Sequence, residues 1–139
     1  MTVRILLFLV LLFPTALHAQ CIDSTPQPPS IMVEVRDAML AGDYDGFVAR
    51  ADAADRIPTP QKLNIINVLE GAHPDGFATC EVLLRRDLSD KLFQELSVFE
   101  APGADWIFLY ALGGRIGGQE TLLNFKFSNN AAEELSKFR

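Results

Sequence analysis

The stretch from Phe77 to Ser128 constrains the fold more than any other, because it reads as four consecutive strands separated by turn signals. In its last segment Gln119, Thr121, Leu123, Phe125 and Phe127 alternate with Glu120, Leu122, Asn124, Lys126 and Ser128. That period of two marks an antiparallel strand with one face on a core. The segment before it, Trp106-Ile107-Phe108-Leu109-Tyr110-Ala111-Leu112, has no polar face. Such a strand is either covered on both sides or turns one face to a ligand or partner. Between the two lies Gly113-Gly114-Arg115-Ile116-Gly117-Gly118, whose glycines supply the positive φ angles of a hairpin turn. A phosphate-cradling loop fits poorly, since no Lys-Ser or Lys-Thr follows and the next element is a strand.

The first strand carries Cys80, Val82 and Leu84 on one side and Thr79, Glu81 and Arg85 on the other. The second follows Leu88-Ser89-Asp90 and sets Leu92, Leu96 and Val98 against Phe93 and Phe99. Leu84, Leu88, Leu92 and Leu96 also recur every fourth residue, so a helix from about Asp87 to Phe99 is the alternative. The Ala101-Pro102-Gly103 turn favours the strand, because consecutive hairpins need few residues.

Helical spacing precedes the strands. Ser30 can cap a helix with Ile31, Val35, Ala38 and Met39 on its apolar side, ending at Gly42. Asp43 restarts the pattern with Tyr44, Phe47, Val48 and Ala51, as one kinked helix or two. Thr59-Pro60 opens a further helix, with Leu63, Ile66 and Leu69 as its inner stripe, Gly71 as its stop and His73-Pro74-Asp75-Gly76 as the turn into the first strand. Beyond Ser128, Asn130 and Glu133 form a capping-box-like pair for a short helix through Leu135 and Phe138. The expected class is α+β: N-terminal helices packed on a curved four-stranded antiparallel meander, with a short C-terminal helix.

Residues 1–19 have the pattern of a cleaved signal peptide: Arg4, an apolar run from Ile5 to Phe13, then Pro14 to Ala19. The run is too short for a permanent membrane span. Lipidation at Cys21 would need a small residue before it, where Gln20 stands. The expectation is therefore a periplasmic or secreted protein with no membrane anchor, a proline-rich lead at 20–30 and a single domain at 31–139. Removing those nineteen residues, which carry one cation and no acid, leaves 120 residues with a net charge of −7. An acidic domain without a basic cluster is a poor candidate for nucleic acid. The lead, Asp-Ser-Thr-Pro-Gln-Pro-Pro-Ser, reads as an extended tether. Cys21 and Cys80 are an even pair in an exported chain, which favours a disulfide over a buried free thiol.

Catalytic chemistry finds little support. Once His18 leaves, His73 is the sole histidine, so no ordinary zinc site or histidine-based triad assembles, and no cofactor is expected. Glu81, Glu95 and Glu120 lie on strands, where an outward side chain is the default, although a buried carboxylate with a raised pKa could serve a small isomerase or hydrolase. Arg85 and Arg86 are adjacent, so they should point to opposite faces. A domain without catalytic machinery is the preferred reading. It would bind a partner protein or a small apolar ligand on the sheet at Trp106, Phe108, Tyr110 and Leu109, or pair with a second copy there. The rival reading of those aromatics is core.

The order of elements, with the Gly42-Asp43-Tyr44 break, the Thr59-Pro60 start and the meander containing Trp106 to Tyr110, resembles the nuclear-transport-factor-two-like superfamily. This is the cone-shaped fold shared with ketosteroid isomerases and with small exported bacterial domains. The resemblance covers residues 31 to 128 in outline. It implies a pocket between sheet and helices and is compatible with a lack of enzyme activity. The isomerases' catalytic Asp and Tyr are not carried over, because no stretch here aligns well enough to name their counterparts.

Overall fold

The computed structural model describes residues 19–103, 105–136 and 138, so most of the expected leader lies outside it. Three helices, α1 (Ser30–Leu40), α2 (Tyr44–Ala51) and α3 (Thr59–Ala72), precede the strands β1 (Thr79–Asp87), β2 (Leu92–Glu100), β3 (Trp106–Ile116) and β4 (Gln119–Ser128). A six-residue helix, α4 (Ala131–Ser136), follows. The sheet is an antiparallel meander in the order β1-β2-β3-β4. The fold is therefore α+β, and residues 87–99 form a hairpin and strand rather than a helix.

One face of the sheet packs on the helices. Met32, Val35, Met39, Tyr44 and Phe47 are buried with Phe93, Phe99, Leu109 and Leu122 in a single core. Phe47 stands edge-on to Phe125 at 5.3 Å, the geometry that aromatic quadrupoles favour. The Tyr44 hydroxyl donates to the His73 carbonyl, and burial, with Glu70 nearby, pushes its pKa up to about 12. The break between α1 and α2 depends on two glycines. A Cβ on Gly42 (φ 72°) would lie 2.9 Å from the Gly76 backbone nitrogen, and one on Gly76 (φ 74°) would lie closer still, 2.5 Å from the Leu40 carbonyl oxygen.

Several helix signals act differently from their sequence reading. Pro29 and Pro58 occupy the positions before α1 and α3, and neither helix has a side-chain cap there. The Ser30 amide and hydroxyl instead donate to Glu120 on β4, at 2.5 and 2.9 Å. Asp43 caps α2, accepting from the Gly46 amide at 2.9 Å. The expected inner stripe of α3 is only partly inside: Leu69 is buried and Ile66 half-buried, while Leu63 is 54 % exposed. This helix packs against α2 more than against the sheet, so its stripe has little to press on.

The strand alternation also shifts, because two irregularities interrupt it. One lies between Val82 and Leu84 and the other between Leu112 and Gly113. An extra residue moves every following side chain to the opposite face. Arg85 therefore joins Cys80 and Val82 on the helix side, opposite Glu95, and Leu122 turns inward as the partner of Gly113.

Candidate functional site

The first bulge builds an ionic cluster beneath α1. Arg85 donates to the Glu95 carboxylate through Nε at 3.0 Å, and its second nitrogen lies 2.7 Å from Asp23 Oδ2. Arg36 reaches the same Asp23 oxygen at 2.9 Å and donates to the Met32 carbonyl. Ser97 donates to the other Glu95 oxygen at 2.8 Å, and Arg85 also bonds Thr25. Burial alone would push the Asp23 carboxyl up. Hydrogen bonds from Thr25, Arg85 and Arg36 outweigh it and hold the group well below the usual carboxylate range. Two cations meet two anions, so the cluster is neutral.

Two sequence readings are corrected here. Glu95, expected to face outward, is 2 % exposed and points at the helices, with both oxygens occupied. The lead is not a free tether either. Cys21 is disulfide-bonded to Cys80, Ile22 pairs in parallel with β1, and Asp23 completes the cluster. The prolines after Thr25 do not prevent this, because the attachment precedes them.

The opposite face of the sheet holds Trp106, Phe108 and Tyr110 in a row on β3. Leu109 lies on the other side, 2 % exposed in the helix-packed core, so it cannot share a surface with those three. Phe108 is buried, Tyr110 half-buried, and Trp106 is 56 % exposed. Trp106 borders a groove of about 300 Å³ walled by Ile22, Leu83, Val98 and Phe108. Two carboxylates, Glu81 and Glu100, also line it, and no cation does. On its other side Trp106 borders a more open hollow of about 720 Å³ with His73, Asp105 and Asn129.

Part of the rest of this face, over β3 and β4, is covered by α4 and Phe138, while Leu84 and Leu92 toward its far end are 40 % and 37 % exposed. Glu134 is fully buried, and the Phe138 ring stands edge-on to Tyr110 at 5.8 Å. Asn130 starts the helix by accepting from the Ala132 and Glu133 amides, as its place in the sequence suggests.

A third hollow, about 290 Å³, separates the start of α3 from β4 and contains Asp52. The Arg56 and Ile57 amides and the Lys62 ammonium occupy that carboxylate, the last at 2.9 Å. These bonds lower its pKa against the opposing effect of burial. It closes the α2–α3 loop.

Among the described residues, no helix is long and apolar enough to cross a membrane, and no group of His, Cys, Asp and Glu could hold a metal ion. Ile22, Leu83 and Val98 escaped the sequence reading as groove walls, since they come from three separate segments that only the fold brings together. Arg36 did carry a signal. It interrupts the apolar side of α1 one turn after Met32, where an unpaired charge would be untenable. The chain matches no protein-family model and no curated protein.

Proposed function

We propose that this is an exported, non-enzymatic binding domain that docks an apolar partner segment flanked by basic residues into the groove beside Trp106. The observation that carries the reading is Trp106 itself, 56 % exposed on an inner strand of the sheet next to Ile22 at 64 % and Leu83 at 40 %. Large rigid aromatics at the edge of an apolar groove are typical binding anchors. Glu81 and Glu100 in the lining, with a net charge of −7 for the exported chain, favour a basic flank. The disulfide between Cys21 and Cys80 suits an oxidising compartment, which supports a periplasmic or secreted location. The cone-fold resemblance adds only an expectation of a concave ligand site.

The isomerase or hydrolase alternative depends on an accessible buried carboxylate. Glu95 is the best placed, but its oxygens are held by Arg85 and Ser97, and α1 lies over it. A general base needs reach to its substrate, so the binder is the stronger reading.

Selection of displayed extended peptides on the wild-type domain, with counter-selection on Trp106→Ala, tests this. Recovered sequences should carry an apolar residue flanked by Lys or Arg and shift Trp106 fluorescence. They should also lose at least tenfold in affinity to Trp106→Ala. Acidic sequences, or binding indifferent to Trp106, would refute the proposal. Trp106-dependent binding of neutral Nile red without any peptide would favour a small apolar ligand.

A further inference from the structure

Beyond the Trp106 groove, the same sheet face carries a second polar surface. Arg86, Gln94, Tyr110 and Lys126 lie on four adjacent strands and converge there. The Gln94 side chain is only 4 % exposed, and with its amide oriented to suit both neighbours it accepts from Arg86 at 3.2 Å and donates to the Tyr110 hydroxyl at 3.3 Å. Lys126 supplies the second cation. In an acidic domain, two cations and two neutral polar groups on one sheet face form a receptor for negative charge.

The chain meets that receptor with its own carboxylates. Lys126 pairs with Glu133 and lies 3.7 Å from Glu134. Arg86 donates to the Phe138 carbonyl and sits over the Phe138 ring, 6.0 Å from its centroid. Tyr110, whose hydroxyl pKa is raised by burial and by Glu134, takes the ring on its edge. The occupying motif is thus an acidic pair on one helical turn with an aromatic residue four positions beyond the second acid.

This occupant is held in a way that favours exchange. Six residues are too few for a helix to persist without its docking site. The Lys126–Glu133 pair has both side chains about half exposed, where ion pairs contribute little, and Leu135 is 44 % exposed. Glu134 is fully buried at a position where an apolar residue would bind a purely structural helix at least as well, whereas a buried carboxylate gives selectivity. We infer that the Arg86–Gln94–Tyr110–Lys126 surface is a docking site for an acidic, aromatic-bearing segment of a partner protein. Residues 131–136 and Phe138 fill it in cis as a displaceable stand-in.

The probe is a fluorescein-labelled peptide carrying residues 129–139, with anisotropy as the readout. The receptor is the full chain carrying Glu133→Gln and Phe138→Ala, which weakens the internal occupant. The peptide should bind this variant at least tenfold more tightly than wild type, and adding Lys126→Gln or Arg86→Gln should remove at least tenfold of that gain. A scrambled peptide binding equally well overturns the inference, as does no saturable binding by a variant that still unfolds cooperatively. If the variant loses cooperative unfolding, the segment belongs to the folded core and the inference also fails. Concentration-dependent dimers of the wild-type chain that disappear with Lys126→Gln would replace the partner with a second copy.

Discussion

Asp23 precedes Arg36 by thirteen residues, yet its carboxylate lies 2.9 Å from that guanidinium and closes a cluster in which Arg36 is only 2 % exposed. Replacing one member of a buried ion pair is far more damaging than replacing all of them, because the remaining charge loses its counterion. Asp23→Asn leaves Arg36 and Arg85 with Glu95 alone. The expected loss is about 3–5 kcal/mol, read from urea unfolding. A loss below about 1 kcal/mol, the range of exposed pairs, would show that the cluster is solvated in solution.

The same carboxylate gives a pH signature. Its folded pKa is lowered from an unfolded value near ~3.9, so its stabilisation is complete above the unfolded value and declines as pH falls toward the folded one. The stability difference between wild type and Asp23→Asn should be constant from about pH 5 upward and shrink steadily below about pH 4. Asp52 and Glu120, also lowered, are common to both proteins and cancel. A difference that stays constant down to about pH 2 would exclude this role.

The disulfide spans 59 residues, for which the chain-entropy relation gives about 4 kcal/mol. Replacing both cysteines by serine should cost about that much, modified by relaxation at the bridge. A specific coupling is also expected, since Asp23 follows the bridge by two residues and depends on it for its place. The Cys21/Cys80 and Asp23 changes should combine to less than their sum in a double-mutant cycle. Strict additivity would mean that the Ile22 pairing with β1 alone holds Asp23.

Order and type of elements were legible because Phe77 to Ser128 carries a period of two and its turns carry glycine, proline and aspartate. The cysteine pairing followed from count and expected compartment. Facing was not legible beyond the bulges, because a one-residue insertion moves Arg85 and Leu122 across the sheet without leaving a mark in local composition. The ionic cluster was hidden for a related reason. Its members Asp23, Arg36, Arg85 and Glu95 lie on four separate segments, and apart from Arg36, which breaks the apolar side of α1, each alone resembles an ordinary surface charge. Of the aromatic row, Trp106, Phe108 and Tyr110 do share a face, and alternation alone separates Leu109 from them.

Stability and binding should separate at Trp106. The residue is 56 % exposed, so Trp106→Ala should cost clearly less in urea unfolding than the about 3–5 kcal/mol of truncating a fully buried tryptophan. A loss that large would identify the ring as packing rather than as a binding element.

Gly113 is an interior strand residue where a side chain would normally strengthen the sheet, but here there is no room for one. A Cβ at this position would lie 2.2 Å from the Phe93 ring, and Phe93 is fully buried with the Arg115 guanidinium 4.9 Å from its centroid. The ring cannot yield without disturbing both the core and that cation, so overpacking should dominate. Gly113→Ala is expected to cost about 1–3 kcal/mol despite alanine's lower backbone entropy in the unfolded chain. Phe93→Leu should itself destabilise the protein but make the alanine nearly neutral when the two are combined, because the colliding ring atoms are gone. Urea unfolding of both single variants and the double variant checks this, and an alanine equally costly with Leu at position 93 would place the strain in the backbone rather than against the ring.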